Sequence, residues 1–291
     1  MTTFFALCAG FCNAFNVVAQ HRASTSKSAK LPILRLVLYL FKNPLWLLGW
    51  VALLGGFVFQ AAALHNGTIS KVQALLVSEL VFTLALRKVW IGQRISRAAW
   101  ASAGLTCMSL ALFVVLAEPQ GTQSSPTSSA WLSVLLTFGI LTAVLSGLSL
   151  RGSPSRRAAL AATAAAIVWA LEATFIKSAT DTLTSVGFVS TLSHWPIYAV
   201  IVGGIIGTLL VQTALHVGPL RISQPLLVSV DPFVSIILGI WLFGEHFKGN
   251  PLRIAVACAS FVVMVLGIVL LVRTSPPNLE PAPELPAPAT T

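Results

Sequence analysis

Charged residues are scarce in this chain of 291 residues: Asp, Glu, Lys and Arg make up only 9% of it, against about a quarter of an average soluble domain. Hydrophobic residues account for 56% of the sequence, and the mean hydropathy is +0.87. A soluble fold of this length has too little interior to bury so much apolar surface. The alternating apolar and polar runs of a membrane barrel are also lacking, which favours an all-α polytopic membrane protein.

Cysteine pairs and catalytic motifs are lacking as well. The four cysteines, at positions 8, 12, 107 and 258, lie inside apolar runs and form no C-x-x-C, which argues against a disulfide framework and a zinc site. The chain contains no H-E-x-x-H, no G-x-S-x-G and no phosphate-binding glycine loop. We therefore expect no enzyme activity, no catalytic residues, no metal and no cofactor.

The hydropathy pattern predicts nine transmembrane helices, each long enough to cross about 30 Å of hydrocarbon. The predicted spans are 3–20, 44–65, 71–91, 97–117, 129–150, 156–178, 194–216, 222–244 and 252–272. Two shorter apolar segments, 31–41 and 182–192, fit either an interfacial helix or a residual span, so a ten-span alternative stays open. Residues 274–291 contain six prolines and are predicted to form a disordered cytoplasmic tail.

The basic residues predict the orientation of these spans. Fourteen of the 18 Lys and Arg residues follow the first, third, fifth and seventh spans or close the ninth. The positive-inside rule then puts the N-terminus outside and the C-terminus in the cytoplasm of a multi-pass cell-membrane protein. Because the net charge of +10 resides in these short connections, it does not indicate nucleic-acid binding. The expected partners are membrane lipids and a small-molecule, ion or lipid-linked substrate, with the chain acting as a monomer or homodimer.

One segment occurs twice, about 151 residues apart. His65 and Gly67 in the first copy correspond to His216 and Gly218 in the second, and residues 75–78 correspond to 226–229. We therefore divide the chain into a first repeat at 1–117 with a basic loop at 21–43, a linking span at 118–155, and a second repeat at 156–273. Because a single span separates two four-span repeats, the second copy is expected to be inverted, as in alternating-access transporters.

Three carboxyl groups fall well inside predicted spans: Glu79, Glu172 and Asp231. A carboxylate at the membrane centre costs about 2.5–3.5 kcal/mol, so these groups must face a wet cavity, form pairs or be protonated. Pro232 is expected to break or kink the helix that carries Asp231. The predicted substrate- or ion-binding residues, lining a central cavity, are Glu79, Asp231, Glu172, Asn13, Asn16, Gln73, Gln224 and Trp169. For the Asn and Gln residues, hydrogen bonding between helices is the alternative interpretation.

Several short motifs resemble the drug/metabolite transporter superfamily, in particular its EamA-like proteins. The second repeat contains Ala214-Leu215, Pro225, Asp231-Pro232 and Gly244-Glu245, preceded by Trp169-Ala170; the first contains Ala63-Leu64, Glu79 and Gly92-Gln93. With nine spans and PLWLLG at 44–49, the chain is most similar to the NIPA-type magnesium transporter branch. The resemblance covers most of residues 1–273 and implies a transporter built from two inverted repeats.

We therefore expect a secondary transporter that moves a small metabolite or ion by alternating access around a polar midplane cavity. A magnesium or other divalent cation transporter is one alternative, since hard cations need oxygen ligands. A flippase for a lipid-linked sugar or polyprenyl phosphate is another, with Lys71, Lys88 and Arg221 as basic residues near the cavity mouth. A non-transporting membrane scaffold is the third.

Overall fold

The computed structural model describes residues 1–25, 43–92, 95–121, 126–218 and 220–274. Two two-residue strands, Pro119–Gln120 (β1) and His246–Phe247 (β2), pair antiparallel. Every other element within these described ranges is a helix, in the order α1 (Thr2–Thr25), α2 (Pro44–His65), α3 (Ile69–Leu76), α4 (Glu79–Ile91), α5 (Arg97–Ala117), α6 (Ser128–Leu148), α7 (Pro154–Val186), α8 (Phe188–Thr191), α9 (Trp195–Val217), α10 (Leu220–Phe243) and α11 (Pro251–Thr274).

Within the described ranges, nine helical segments are long and apolar enough to cross a membrane. They coincide with the nine predicted spans to within a few residues, apart from the longer α7, and α3 and α4 together form the third. The predicted helical, polytopic architecture is confirmed at this level. Segment 31–41, most of the basic loop, Gln93 and residues 275–291 of the tail lie outside the described residues, so the predictions made for them stay predictions.

Short polar side chains begin many of these helices. The side chains of Asn43, Thr68, Ser96, Thr127 and Ser153 each accept a hydrogen bond from a backbone N–H in the first turn. Such caps satisfy donors that a helix leaves unpaired, a requirement that is strict where water is scarce. At the other end, α4 and α10 both stop at a glycine in the left-handed conformation, Gly92 with φ 71° and Gly244 with φ 60°.

The segment 182–192 is neither a separate span nor a single interfacial helix. Its first half continues α7, which reaches Val186 and is 33 residues long, about 20 Å more than the hydrocarbon core requires. Gly187 then adopts φ 83°, and the four-residue helix α8 follows. Hydropathy did not predict this extension because Asp181 and the Thr-rich stretch after it are polar.

Of the break or kink expected at Pro232, the break does not occur. Helix α10 runs continuously through both Pro225 and Pro232. The interruption falls instead in the first repeat, at Val77 and Ser78, where i to i+3 hydrogen bonds replace the helical ladder. Proline removes a single N–H donor, and a helix surrounded by other helices can retain its remaining bonds.

The helices pack in a pattern that is the same in both halves. Helix α1 contacts α2, α3 and α4, and helix α7 contacts α9 and α10. Helix α5 pairs with α11, and α6 packs on α7. The corresponding contacts follow the order of the sequence repeat, so each half has one leading helix, α1 or α7, that contacts the next helices of its own half.

Two glycines 151 residues apart allow the leading helices to come close to their neighbours. Gly56 on α2 faces the side chain of Asn13, and Gly207 on α9 faces Trp169. A Cβ atom at Gly207 would lie 2.7 Å from Trp169 Cδ1, closer than van der Waals contact permits. The motif formed by Gly203 and Gly207 therefore packs α9 on α7 within one chain.

Replacing Gly207 with alanine is expected to lower the free energy of unfolding by about 1–3 kcal/mol, because the new methyl group displaces the Trp169 indole. Gly104→Ala on α5 is the matched control, since a Cβ there has no neighbouring atom within 4 Å; this variant should be neutral or slightly stabilising. Denaturant unfolding in detergent measures both. Equal stability of the two variants would contradict the proposed packing.

Candidate functional site

A cavity of about 470 Å³ lies among α1, α2, α3, α4, α7, α9 and α10. Seven of the eight predicted site residues line it: Asn13, Asn16, Gln73, Glu79, Trp169, Glu172 and Asp231. The eighth, Gln224, is half-buried near the start of α10 and is not among the lining residues. It lies two helical turns before Asp231, whereas its repeat partner Gln73 lines the cavity.

The lining residues come in pairs that match the sequence repeat. Leu76 and Val77 correspond to Leu227 and Val228, and Leu80 corresponds to Asp231, each 151 residues apart. On the leading helices, Asn13 and Asn16 correspond to Trp169 and Glu172, 156 residues apart, and on α2 and α9 Leu53 and Phe57 correspond to Gly204 and Thr208. The cavity therefore forms where equivalent parts of the two copies meet.

Glu79 is placed by the interruption of the third span. It is the first residue of α4, directly after the turn at Val77 and Ser78. The backbone N–H groups of a helix N-terminus carry partial positive charge, which favours a carboxylate at this position. The Asn13 side chain from α1 lines the cavity with Glu79.

The other two carboxyl groups approach the cavity from the second repeat. Asp231 Oδ1 accepts a hydrogen bond of 3.1 Å from Ser235 Oγ one turn along α10. Glu172 Oε1 lies 3.2 Å from the position that a Cβ atom of Gly204 would occupy, so the missing side chain leaves room for the carboxyl group. Glu79 and Glu172 both lie within electrostatic range of Asp231.

Basic side chains are absent from the cavity wall as far as the described residues form it. Neither Lys71 nor Lys88 lies there, and the side chain of Arg221 is outside the described part of the chain. Nor do three or more His, Cys, Asp or Glu side chains converge in a way that could hold a metal ion, within the same described ranges. The cavity thus combines three carboxyl groups, amide groups and apolar surface.

A second group of polar residues lies beyond one end of the cavity, where α2 ends and α3 begins. It consists of His65, Ser70, Lys177, Asp181 and Glu245, and we call it the ionic cluster. Lys177 Nζ donates to the carbonyl oxygens of two residues at the end of α2 and in the following turn, Leu64 at 2.8 Å and Gly67 at 3.3 Å. Asp181 Oδ2 lies 3.8 Å from the same ammonium group, and Asp181 Oδ1 lies 3.0 Å from His65 Nδ1.

Glu245 binds the N-terminus of α3 from across the repeat boundary. Its carboxylate accepts hydrogen bonds from the Ile69 backbone at 2.5 Å, the Ser70 backbone at 3.1 Å and the Ser70 hydroxyl group at 2.5 Å. Gly239 has no side chain to occupy the space of this carboxylate. Burial raises the pKa of Glu245, against the opposing effects of these hydrogen bonds and of the Lys177 charge.

Buried apolar side chains lie beside the ionic cluster. Leu64 lies in the last turn of α2, Ile69 and Val72 lie in the first turn of α3, and Leu242 and Phe243 end α10; each is at most 1% exposed. The Phe243 ring also lies 5.5 Å from Lys177 Nζ, a distance typical of a cation–π contact. At this end of the bundle, side chains of the second repeat therefore contact the end of α2 and the start of α3.

Sequence reasoning did not predict the ionic cluster. Gly244-Glu245 is one of the sequence motifs, but the hydrogen-bond partners of Glu245, Ile69 and Ser70, are about 175 residues away in the sequence. A signal was available: Lys177 and Asp181 are one helical turn apart at the polar end of a span, which is the spacing of an ion pair.

No protein-family model matches this chain, and no solved structure matches it. Among curated proteins it is similar to an uncharacterized protein of Corynebacterium glutamicum, with 27% identity over 283 residues. The matched region covers 94% of this chain and 96% of the relative, so the similarity extends over nearly the full length of both. The relative's name states no activity.

Proposed function

We propose that this protein is a secondary transporter that moves its substrate by alternating access to the central cavity. The observation that carries the proposal is the cavity itself: three carboxyl groups line a space where equivalent segments of two sequence repeats meet inside an apolar bundle. Ionisable groups within spans are costly, and where they occur they usually mark substrate or ion pathways. A non-transporting scaffold has no need for ionisable groups inside its spans.

The third span supports this proposal. Transporters built from repeats commonly bind substrate where a spanning helix is discontinuous, because the free helix ends present oriented dipoles to the ligand. Here the discontinuity lies at Val77 and Ser78, directly before Glu79. The inversion of the repeats, their boundaries and the likeness to EamA-like transporters belong to the same proposal and rest on the sequence motifs and the odd linking span.

The ionic cluster indicates where a gate of the proposed transporter would lie. The distribution of basic residues puts the end of α2 and the end of α10 on the outer side of the membrane. The cluster would then be the outer gate, with Lys177 and Glu245 of the second repeat bound to backbone groups of the first. Opening to the outside requires these contacts to break.

Two other transport functions, lipid flipping and magnesium transport, have less support. A flippase for phosphate-linked lipids needs cationic groups for the phosphate, and the described cavity wall contains none. A site for a dehydrated magnesium ion needs several oxygen ligands converging at about 2.1 Å, and no such group occurs in the parts of the chain that the structure describes. A small organic molecule fits the volume and the mixed lining better.

Alternating access predicts that one cavity residue is reachable from both sides of the membrane. The test uses a variant in which the four native cysteines are replaced by alanine and Thr208, which lines the cavity, is replaced by cysteine. A charged, membrane-impermeant thiol reagent is applied to sealed vesicles of each orientation. The new thiol should react from both faces, more slowly from the face of the ionic cluster.

Leu209→Cys is the matched control, because Leu209 is the next residue, is 61% exposed and does not line the cavity. Its thiol should face lipid and react from neither side. Reaction of Thr208→Cys from a single face only, at all reagent concentrations and times, would contradict alternating access.

A further inference from the structure

We propose that the cavity binds an organic cation, a singly charged ammonium compound with small apolar substituents. This inference rests on the proposed function, since it names the substrate class of the same cavity. The charges of the lining, the arrangement of the carboxyl groups and the position of one aromatic ring each support it.

The sign of the substrate follows from the charged groups. Glu79, Glu172 and Asp231 reach the cavity from three different helices, and the lining contributed by described residues holds no Lys, Arg or His. Lys177 comes directly after the lining residue Ile176, but its ammonium group points to the carbonyl oxygens at the end of α2. An anion would bring a further negative charge into a site without a counter-charge, whereas a cation would neutralise carboxylates already buried there.

The size and chemistry of the lining favour an organic ion over a metal ion. Leu53, Phe57, Leu227 and Pro232 contribute apolar surface around a volume of about 470 Å³, whereas a bare divalent ion needs a small shell of oxygens. Cavities of this volume typically enclose small organic ligands. An ammonium ion with methyl groups can contact the apolar surface while its charge lies near one or two carboxylates.

Trp169 provides a specific recognition element. The indole ring is held against α9 because Gly207 has no side chain, with a Cβ position only 2.7 Å from Trp169 Cδ1. Tryptophan is the aromatic side chain that attracts cations most strongly, and quaternary ammonium groups are bound in this way. Trp169 lies one helical turn before Glu172 on α7, so ring and carboxyl group face the cavity together.

Equilibrium binding to the purified protein tests the inference without requiring transport. Choline and 3,3-dimethylbutan-1-ol have the same shape and differ in charge, and isothermal titration calorimetry in detergent compares them. Choline is expected to bind at least about 10-fold more tightly than the neutral alcohol. Trp169→Ala should weaken choline binding by roughly 5- to 30-fold, and Trp169→Phe should weaken it less.

Equal affinity for the alcohol and choline would overturn the inference, as would tighter binding of glutamate, phosphate or magnesium than of choline. A Trp169→Ala variant that elutes as a monodisperse protein and binds choline normally would remove the role of the ring. The proposed function is tested independently of this inference. If choline bound but the cavity were accessible from one face only, the protein would have a cation-binding site without alternating access.

Discussion

Replacing Lys177 with methionine is expected to loosen the proposed outer gate and to lower the free energy of unfolding by about 3–5 kcal/mol. Lys177 is only 9% exposed and donates to two backbone carbonyl oxygens of the first repeat. Methionine has a similar volume but no charge. The carbonyl groups of Leu64 and Gly67 would lose this donor, and Asp181 would lose the Lys177 ammonium group and keep only its contact with His65.

Two measurements separate opening from simple loss of stability. In the background with Thr208→Cys, labelling from the face of the ionic cluster should increase about 10-fold or more, since each 1.4 kcal/mol changes an equilibrium tenfold. Labelling from the opposite face should not increase. Lys248→Met is the control, because Lys248 is an exposed lysine at the same end of the molecule. Unchanged labelling in the Lys177→Met variant would show that the cluster is no gate.

The spans were predictable from sequence because their signal is local. A helix in lipid satisfies its own backbone, so hydropathy over about 20 residues identifies it without knowledge of its neighbours. The same reasoning identified Glu79, Glu172 and Asp231, because a carboxyl group inside a span needs a polar environment. The structure places all three in one cavity.

The features that were missed depend on contacts between distant segments. The helix interruption at Val77 and Ser78 contains neither proline nor glycine, the residues that usually mark a break in a sequence. Pro232 is such a residue, yet α10 is continuous through it. The pairing of Glu245 with Ile69 and Ser70 joins residues about 175 positions apart. A single sequence has no local signature of such a pair.

Neutralising the cavity carboxyl groups is expected to abolish the proposed transport without destabilising the protein. Asp231→Asn and Glu79→Gln preserve shape and hydrogen-bonding capacity but remove the charge that a cation needs. Each charge inside the membrane costs up to about 2.5–3.5 kcal/mol, so the variants should be as stable as the wild type or more so. Loss of activity with unchanged or increased stability is typical of functional polar groups.

Glu118→Gln is the matched control for these variants. Glu118 is an acidic residue directly after the span Arg97–Ala117. Its side chain is 49% exposed and pairs with Arg253, and it does not line the cavity. The variant should retain both uptake and stability. If Asp231→Asn and Glu79→Gln instead unfolded more easily while Glu118→Gln did not, the carboxyl groups would be structural.

Uptake into proteoliposomes tests the central claim, that this chain is a transporter, most directly. Purified wild-type protein, Asp231→Asn and Glu79→Gln are reconstituted side by side, and the uptake of labelled choline, arginine, glucose, glutamate and magnesium is followed over time. The wild-type protein is expected to give saturable uptake of at least one cationic probe, and both variants are expected to reduce it at least about 10-fold. Absence of saturable uptake of every probe, or equal uptake by the wild-type protein and both variants, would contradict the account.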